Sequence, residues 1–243
     1  SAAMAQRLVV VGGDAAGMSA ATNARRGRPD LEIVALERGR HTSYSACGIP
    51  YVVGGAVDDL DDLVVRTPQE LRDQHRIDVR LRHEVVGIDL DARRLEVRAL
   101  DQHRTIHLGF DLLHLATGAT PIRPDVPGVD APWIRGVQHL EDARALLDLV
   151  AAGPCRDVVV VGAGYIGLEM AEAFVDRGAR VTLVDGAPRP LRGVDDEVAD
   201  RVAEVLVRYG VTLRLGARVE GFGDHVVHLA DGDLRADLVI LGT

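Results

Sequence analysis

Hydrophobic residues occur along this chain in short continuous runs, two of which end in a cluster of glycines. The run Leu8–Val11 leads into a glycine pair and then into a helix-like pattern over residues 16–26. The run Val158–Val161 leads into a second glycine cluster and a helix-like pattern over residues 165–177. Continuously apolar runs of this length are typical of parallel strands covered by helices on both faces. The pattern therefore predicts two βα units of the same kind, with their glycine clusters 150 positions apart.

The remaining pattern predicts further strands, helices and a linker. Thr67-Pro68-Gln69-Glu70 has the spacing of a capping box and predicts a helix start. Alternating runs at 77–81, 85–90, 94–99 and 105–108 predict an antiparallel meander. The segment Pro121–Pro132 contains four prolines and predicts a linker. The other expected elements are strands over 7–12, 31–37, 111–117, 157–162, 180–185, 211–215, 219–222, 226–229 and 237–241, and helices over 140–152 and from Asp195 onward.

The second glycine cluster has the full spacing of a dinucleotide-binding turn. Gly162 permits the tight turn, Gly164 lets the backbone approach a pyrophosphate, and Gly167 allows close packing of helix and strand. The helix that follows offers free N–H groups and a positive dipole end to the phosphates. Asp185 closes the next apolar run, 18 residues after Gly167, where a carboxylate accepts hydrogen bonds from a ribose diol.

The first cluster repeats this pattern with one departure. Asp14 occupies the position of the middle glycine, and the expected nucleotide contacts are Gly12, Gly13, Ala16, Gly17 and the ribose carboxylate Glu37. An ordinary βα turn with incidental glycines is the alternative for either copy. Two such units in one chain point to two bound dinucleotides and to hydride transfer between them. The expected fold is α/β with two Rossmann-like units, each having a parallel sheet flanked by helices and a β-meander.

Composition excludes several classes of protein. With 47% hydrophobic and 27% charged residues, the 243-residue chain is expected to fold into two modest domains, and its net charge of −9 argues against nucleic acid as a partner. No apolar run reaches 18 residues, so no membrane-spanning helix is expected. Because all 28 basic residues are arginine, a lysine Schiff base is excluded. The opening Ser1–Met4 lacks the features of a secretory signal and is interpreted as a short extension ahead of a native Met4.

The two cysteines are far apart and lack metal-ligand or disulfide spacing, which suits a cytoplasmic protein with no metal site. Cys47 lies in a turn-rich segment, Ser43–Tyr51, after a predicted strand of the first unit. A lone cysteine is most often a small buried hydrophobe. Hydroxyl-bearing neighbours and the place of this loop at the ends of parallel strands favour a reactive thiol instead. Cys155 has no such setting, and we expect it to be structural.

Four segments together resemble the pyridine nucleotide–disulfide oxidoreductases. They are Gly12–Ala21, the Ser-x-x-x-Cys-Gly-Ile-Pro-Tyr segment Ser43–Tyr51, Ala116-Thr117-Gly118, and Gly162–Glu172. The similarity is strongest to the branch with a single active-site cysteine, which includes coenzyme A-disulfide reductases, NADH oxidases and NADH peroxidases. It implies an FAD/NAD(P)-binding fold and a flavoenzyme in which NAD(P)H reduces FAD. Electrons then pass to Cys47 and to a small disulfide of the coenzyme A type.

The resemblance also implies roles for further residues. It places Ser43 near a thiol-bearing ligand, while Arg25 and Arg26 are candidates for that ligand's phosphates or, alternatively, an ordinary basic helix end. The first glycine loop contains no histidine, which favours a disulfide over oxygen or peroxide. NADH oxidase, NADH peroxidase or polysulfide reductase activity is the alternative. The remaining expected cofactor-binding residues are Arg38, Thr117, Gly118, Tyr165, Ile166 and Glu169.

Cofactor choice and domain limits complete the expectations. Asp185 would repel a 2′-phosphate, which favours NADH, although the nearby Arg189 leaves NADPH possible. Residues 1–120 are expected to form the first segment of an FAD-binding domain and residues 121–243 an NAD(P)H-binding domain. The resemblance implies that Asp237–Thr243 leads back toward the FAD domain. The rest of that domain and a C-terminal dimerisation domain would be absent here, with the full-length form a homodimer. An inactive nucleotide-binding fragment is therefore a further alternative.

Overall fold

The computed structural model describes residues 6–242, so the interpretation of Ser1–Met4 lies outside the described residues. The helices are α1 (Ala15–Gly27), α2 (Ile49–Gly54), α3 (Pro68–His75), α4 (Leu140–Ala152), α5 (Tyr165–Asp176) and α6 (Asp196–Tyr209). The strands are β1 (Arg7–Val11), β2 (Glu32–Glu37), β3 (Ile77–Leu81), β4 (His83–Asp89), β5 (Arg94–Ala99), β6 (Arg104–Gly109), β7 (Leu112–Leu115), β8 (Ile134–Gly136), β9 (Asp157–Val161), β10 (Arg180–Asp185), β11 (Thr212–Leu215), β12 (Val219–Phe222), β13 (Val226–Leu229), β14 (Gly232–Arg235) and β15 (Leu238–Leu241).

The chain separates into two compact units. Among the described residues, unit 1 comprises residues 6–45 and 63–119, and unit 2 comprises residues 46–62 and 120–242. Each unit contains a parallel sheet, helices and a three-stranded antiparallel sheet, which confirms the expected α/β fold class. The segment 46–62, which contains Cys47, belongs by its packing to unit 2.

The parallel sheet of unit 1 has the strand order β3-β2-β1-β7. The expected placement of residues 77–81 in the meander is wrong, because β3 pairs in parallel with β2 at the edge of this sheet. The meander is instead β4-β5-β6. Alternation along 77–81 does show that one face of this strand is buried, but alternation alone does not select the partner strand.

The continuous apolar character of β1 has a clear cause in unit 1. Val10 packs on one face of the sheet with Met18 and Ala21 of α1. Val9 packs on the opposite face with Leu95 and Val97 of the meander. Both faces are therefore covered, as a continuous run requires, but the second face is covered by an antiparallel sheet rather than by helices.

Unit 2 repeats this plan with the parallel order β11-β10-β9-β15-β8 and the meander β12-β13-β14. Strand β15 is an interior strand of this sheet, so the described part of Asp237–Thr243 lies within unit 2. Strands β8 and β14 were not expected. Helix α2 packs against α5, and Arg177 at the end of α5 donates through Nη1 to the carbonyl of Val53 at 2.6 Å.

The predicted helix start at Thr67 is confirmed in detail. The Glu70 backbone N–H donates to Thr67 Oγ1 at 3.2 Å, and Glu70 Oε2 accepts from the Thr67 backbone N–H at 2.7 Å. These hydrogen bonds from Thr67 hold the pKa of Glu70 below its usual range. Within residues 6–242, no helix combines the length and apolar character needed to cross a bilayer.

Candidate dinucleotide-binding sites

The first glycine loop joins β1 to α1, and two of its positions have no room for a side chain. Gly12 has φ +110°, and a Cβ added there would overlap the carbonyl of Ala116 at the end of the neighbouring strand. A Cβ on Gly17 would overlap the carbonyl of Gly12. The loop is thus compressed between the strand ends and the start of the helix. Glycine is required here for geometry, as the pattern predicted.

Glu37 holds this loop from the end of β2. Its Oε2 accepts a hydrogen bond from the Gly13 backbone N–H at 2.7 Å, and its Oε1 accepts one from the Gly39 N–H at 2.6 Å. A Cβ on Gly13 would come within 2.8 Å of the Glu37 Cβ. The carboxylate expected at a ribose therefore also sets the shape of the loop. Sequence reasoning missed this second role because it depends on backbone donors from two different loops.

The second glycine loop has the same compressed turn, but the space around its middle glycine, Gly164, is open. Gly162 has φ +106°, and a Cβ on Gly167 would overlap the carbonyl of Gly162. By contrast, a Cβ on Gly164 would have only the Gly242 carbonyl near it, at 4.0 Å. No packing within the described protein thus demands glycine at 164. The remaining physical reason for a glycine at this position is that the protein backbone must approach a ligand closely.

Asp185 holds the second loop as Glu37 holds the first. Its Oδ2 accepts from the Ala163 backbone N–H at 2.7 Å and its Oδ1 from the Ala187 N–H at 2.7 Å. Arg192 adds an ion pair, with Nη2 3.2 Å from Oδ1. Partial burial acts to raise the pKa of Asp185, but the two backbone donors and Arg192 outweigh it and lower the pKa. The carboxylate is thus kept charged, as an acceptor for ribose hydroxyls must be.

The two units correspond beyond their glycine loops. Ser43 lies six residues after Glu37 and donates its backbone N–H to the Gly13 carbonyl at 2.9 Å. Leu191 lies six residues after Asp185 and donates to the Ala163 carbonyl at 2.8 Å. Both residues have left-handed backbones, with φ 51° and 53°. Leu191 was not singled out by sequence reasoning, and the equal six-residue offset is the only signal that could have found it.

The other expected cofactor residues lie on the exposed rim of each loop. In unit 1, Arg38 follows β2, Thr117 and Gly118 follow β7, and all three are exposed, as is Ala16 in the first turn of α1. In unit 2, the first turns of α5 expose Tyr165, Ile166 and Glu169, with Tyr165 at 69%. Each set therefore gathers at the carboxyl end of its own parallel sheet, where open α/β sheets bind ligands.

Cys47 lies in a 3-10 turn, Ala46–Gly48, that runs directly into α2, and its side chain is exposed. Exposure excludes the buried-hydrophobe alternative, and a reactive role for the thiol stays a prediction. Helix α2 buries Ile49, Val52 and Val53 and is packed on α5, the helix that starts at the second glycine loop. The thiol is thus carried by a well-anchored element. Cys155 is partly buried, and burial followed by the nearby Asp237 charge raises its pKa.

The two candidate arginines of α1 differ sharply. Arg25 is buried, and its guanidinium donates four hydrogen bonds to backbone carbonyls, those of Pro29, Leu31, His75 and Arg76, at 2.7–2.9 Å. Burial and the neighbouring Arg76 lower its pKa. The buried guanidinium uses four of its five N–H donors to join α1 to α3, which favours a structural role for Arg25 over contact with a substrate phosphate. Arg26 is exposed.

Comparison with known proteins identifies the family. The family model described as pyridine nucleotide-disulphide oxidoreductase matches residues 6–243. This chain belongs to that family. It is 35% identical to an NADH oxidase of Methanocaldococcus jannaschii over 98% of this chain and 54% of that protein. It is 39% identical to an NAD(P)H sulfur oxidoreductase (CoA-dependent) of Pyrococcus abyssi over 97% of this chain and 53% of that protein.

Solved structures agree with this assignment. Reduced CoADR-RHD of Bacillus anthracis superposes with a TM-score of 0.95 at 31% identity, covering 98% of this chain and 43% of that one. The water-forming NADH oxidase of Lactobacillus brevis, bound to NADH, gives 0.91 at 32% identity, covering 97% of this chain and 53% of that one. The chain spans about half the length of the curated relatives it matches.

Proposed function

We propose that this chain supplies the nucleotide-binding units and the redox cysteine of an FAD-dependent NAD(P)H oxidoreductase. Unit 1 binds FAD, unit 2 binds NAD(P)H, and Cys47 passes electrons to a small disulfide such as coenzyme A disulfide. The observation that carries the proposal is the repeated carboxylate-and-loop geometry, Glu37 with Gly13 and Asp185 with Ala163, in a chain that also exposes a thiol at Cys47. In the full-length protein we expect a cytoplasmic homodimer.

The residues present fit two dinucleotides. In unit 2, the open space above Gly164 and the start of α5 suit a pyrophosphate, and Asp185 remains charged to accept from ribose hydroxyls. In unit 1, Gly12 and Gly13 form the matching turn and Glu37 the matching carboxylate. When bound, FAD supplies the redox chemistry by which a hydride is accepted from NAD(P)H and its two electrons are delivered to a disulfide.

Cys47 would act as a nucleophile that is regenerated in each cycle. Its thiolate attacks one sulfur of the substrate disulfide, forming a mixed disulfide and releasing one substrate thiolate, which takes up a proton. Two electrons then break the Cys47 mixed disulfide, return the Cys47 thiolate and release the second substrate thiolate, which is protonated in turn. Exposure of the thiol meets the need for access by a bulky substrate. Ser43 and Arg26 are retained as candidates for contacts with that substrate.

The nicotinamide cofactor is proposed to be NADH in the first instance. Asp185 accepts from a 2′-hydroxyl and opposes a 2′-phosphate. An engineered form of the Lactobacillus brevis oxidase, bound to NADPH, carries five substitutions. They include glycine to alanine, then aspartate to alanine eighteen positions later, and proline to arginine seven positions after that aspartate. The same spacing in this chain gives Gly167, Asp185 and Arg192, two residues of the NADH-type pattern and one arginine.

Oxygen or a polysulfide is the second candidate for the electron acceptor. It is supported by the names of relatives, which include NADH oxidases and an NAD(P)H coenzyme A polysulfide/persulfide reductase of Pyrococcus horikoshii. The resemblance associates oxygen and peroxide reduction with a histidine in the first glycine loop. Residues 12–17 contain no histidine, which favours a disulfide as the acceptor. Coenzyme A disulfide reductases of staphylococci are also among the relatives, at 27–28% identity.

The test is a titration of the purified chain with FAD and, anaerobically, with NADH, followed by visible absorption. We expect a protein-bound flavin spectrum that bleaches with NADH in wild type and in Cys47→Ser. A long-wavelength thiolate-to-flavin band should appear only in wild type. Steady-state assays with coenzyme A disulfide, polysulfide or oxygen then identify the acceptor. A chain that binds neither nucleotide, although folded by circular dichroism, would overturn the proposal.

A further inference from the structure

We infer that Arg177 is a positioning residue for the Cys47 thiol. Together with a close contact between Gly54 and Ala173, it attaches α2, the helix that follows the thiol, to α5, the helix that follows the second glycine loop. The inference rests on the proposed function and deepens it, because it makes one helix of unit 2 the support of both the NAD(P)H loop and the redox cysteine.

Helix α2 is too short to keep its place without support from the rest of the protein. It has six residues, and isolated helices shorter than about 12 residues are marginal in water. Cys47 lies in the 3-10 turn directly before α2, and none of the three residues of that turn is buried. The position of the thiol is therefore set by whatever holds α2.

The first support of α2 is its close approach to α5 at Gly54. A Cβ built on Gly54 would lie 3.3 Å from the Cα of Ala173 and 3.4 Å from its Cβ. Ala173 is buried, as is Val53 on the other helix. The distance between two packed helices depends on the side chains at their contact, so a larger residue at position 54 would push α2 away from α5.

The second support is the Arg177 guanidinium at the end of α5. Its Nη1 donates to the carbonyl of Val53 at 2.6 Å. Val53 belongs to the last turn of α2, where the carbonyls lack partners within the helix and form the negative end of its dipole. A charged donor is favoured at such a place and makes a stronger hydrogen bond than a neutral one. Arg177 therefore holds α2 at the end opposite to the thiol.

This arrangement should make α2 respond to a nucleotide on unit 2. Helix α5 starts at the second glycine loop, with Gly164 as its N-cap, and ends at Arg177. Backbone amides of α2 can exchange with solvent when α2 opens alone or when α2 and α5 open together. A bound nucleotide suppresses only the openings that include α5, because it binds the closed form. Attachment through Arg177 favours the joint opening, and loss of Arg177 lets α2 open alone.

The experiment follows the position of residue 47 and the opening of α2 in the purified chain. A nitroxide label on Cys47, in a Cys155→Ser background, reports local mobility by electron paramagnetic resonance. Hydrogen exchange of the unlabelled protein reports the amides of residues 49–57. We expect Arg177→Ala to mobilise the label and to speed this exchange roughly fivefold, and Arg177→Lys to recover part of both effects because it keeps a charged donor.

Two further variants test whether the contact itself is responsible. Gly54→Val should mobilise the label as Arg177→Ala does, although it leaves the guanidinium in place. Arg180→Ala is the matched control, since Arg180 is an exposed arginine of the same unit whose guanidinium pairs with Asp157 at 2.7 Å. It should leave the label and the exchange of residues 49–57 as in wild type. Arg177 is itself exposed, so its variants are expected to fold.

Added ADP-ribose tests the link to the nucleotide loop. It should slow exchange in residues 49–57 by roughly threefold or more in wild type and in Arg180→Ala, and by less than half as much in Arg177→Ala. Its affinity, measured by calorimetry, should stay within about twofold in all three proteins, because Arg177 lies at the other end of α5 from the loop.

Several results would overturn the inference. One is equal label mobility in wild type and in Arg177→Ala, both folded by circular dichroism. Another is wild type that binds ADP-ribose with no change of exchange in α2, which would leave the proposed function intact. If folded wild type binds no ADP-ribose, the assignment of unit 2 fails, and the label on Cys47 alone then decides whether Arg177 positions the thiol.

Discussion

The backbone N–H of Ser43 donates to the carbonyl of Gly13 at 2.9 Å, and Ser43 does so from a left-handed conformation with φ 51°. The carbonyl of Ser43 in turn accepts from the Val65 N–H at 2.7 Å. A serine in this region of backbone space costs about 1–2 kcal/mol and persists only where neighbouring contacts impose it. Ser43 therefore links the first glycine loop to the segment that leads to Cys47 by its backbone, whatever its hydroxyl does.

Substitutions at Ser43 should separate these two roles. Ser43→Gly keeps the left-handed backbone at lower cost, so its melting temperature should equal or exceed that of wild type, while any contact of the hydroxyl with a thiol ligand is lost. Ser43→Val should destabilise by about 1–3 kcal/mol, because a branched side chain opposes this conformation. Thermal and urea unfolding measure both. Ser45→Val, at an exposed neighbour with an ordinary backbone, is the control, and equal stability of the two valine variants would contradict the argument.

Gly164→Ala should impair binding without impairing the fold. Space above residue 164 is open and its φ is −80°, so alanine fits at a stability cost within about 1 kcal/mol. A methyl group there would hold the pyrophosphate away from the loop. NADH affinity should fall by roughly tenfold or more, which corresponds to about 1.4 kcal/mol. Fluorescence titration with NADH checks this, and Gly153→Ala, also in open space, should leave the affinity unchanged.

The two cysteines should differ in reactivity. Cys47 is exposed, whereas Cys155 is partly buried with a raised pKa, so it forms less thiolate at neutral pH. Alkylation of the native chain at pH 7.5, followed by mass spectrometry of peptides, should modify Cys47 roughly tenfold or more faster than Cys155. Cys47→Ser should remove the fast phase and Cys155→Ser should retain it. Equal rates at both sites would argue against a reactive Cys47.

Arg25 and Arg26 form a natural pair for testing structural against surface roles. Arg25→Ala removes four hydrogen bonds to backbone carbonyls, of which only that of Pro29 keeps a side-chain donor, Arg76, and it should destabilise by about 2–4 kcal/mol. Arg25→Lys should recover only part of this, because an ammonium cannot reproduce the guanidinium fork. Arg26→Ala should lie within about 0.5 kcal/mol of wild type. Urea unfolding decides, and an Arg25→Ala variant as stable as Arg26→Ala would refute the structural role.

Asp185 should make stability depend on acid pH. Its pKa is lowered in the folded protein, so its contribution is present above the unfolded value near 3.8 and is lost as pH falls below that value. The stability difference between wild type and Asp185→Asn should therefore be largest near neutral pH and shrink below about pH 4. Urea unfolding between about pH 3 and 7 measures it, with the exposed Asp224→Asn as control. A difference that does not vary with pH would contradict this assignment.

The local features of this protein were readable from the sequence alone. The two glycine turns, the capping box at Thr67 and the apolar strands depend on residues close together in the chain, where turn geometry and side-chain periodicity act directly. The duplicated α/β plan followed from the repetition of these local signals. Glu37 and Asp185 were recognisable as strand-end carboxylates by their spacing from the glycines.

Only the tertiary structure decided which distant groups meet. The sequence could not say that Ile77–Leu81 joins the parallel sheet, because an alternating strand pairs equally well with either kind of neighbour. Nor could it say that Arg25 donates to backbone carbonyls up to 51 residues away, or that Arg192 rather than Arg189 pairs with Asp185. The acceptors of a guanidinium are brought together only by the folded backbone, so no local sequence pattern predicts which of them it binds.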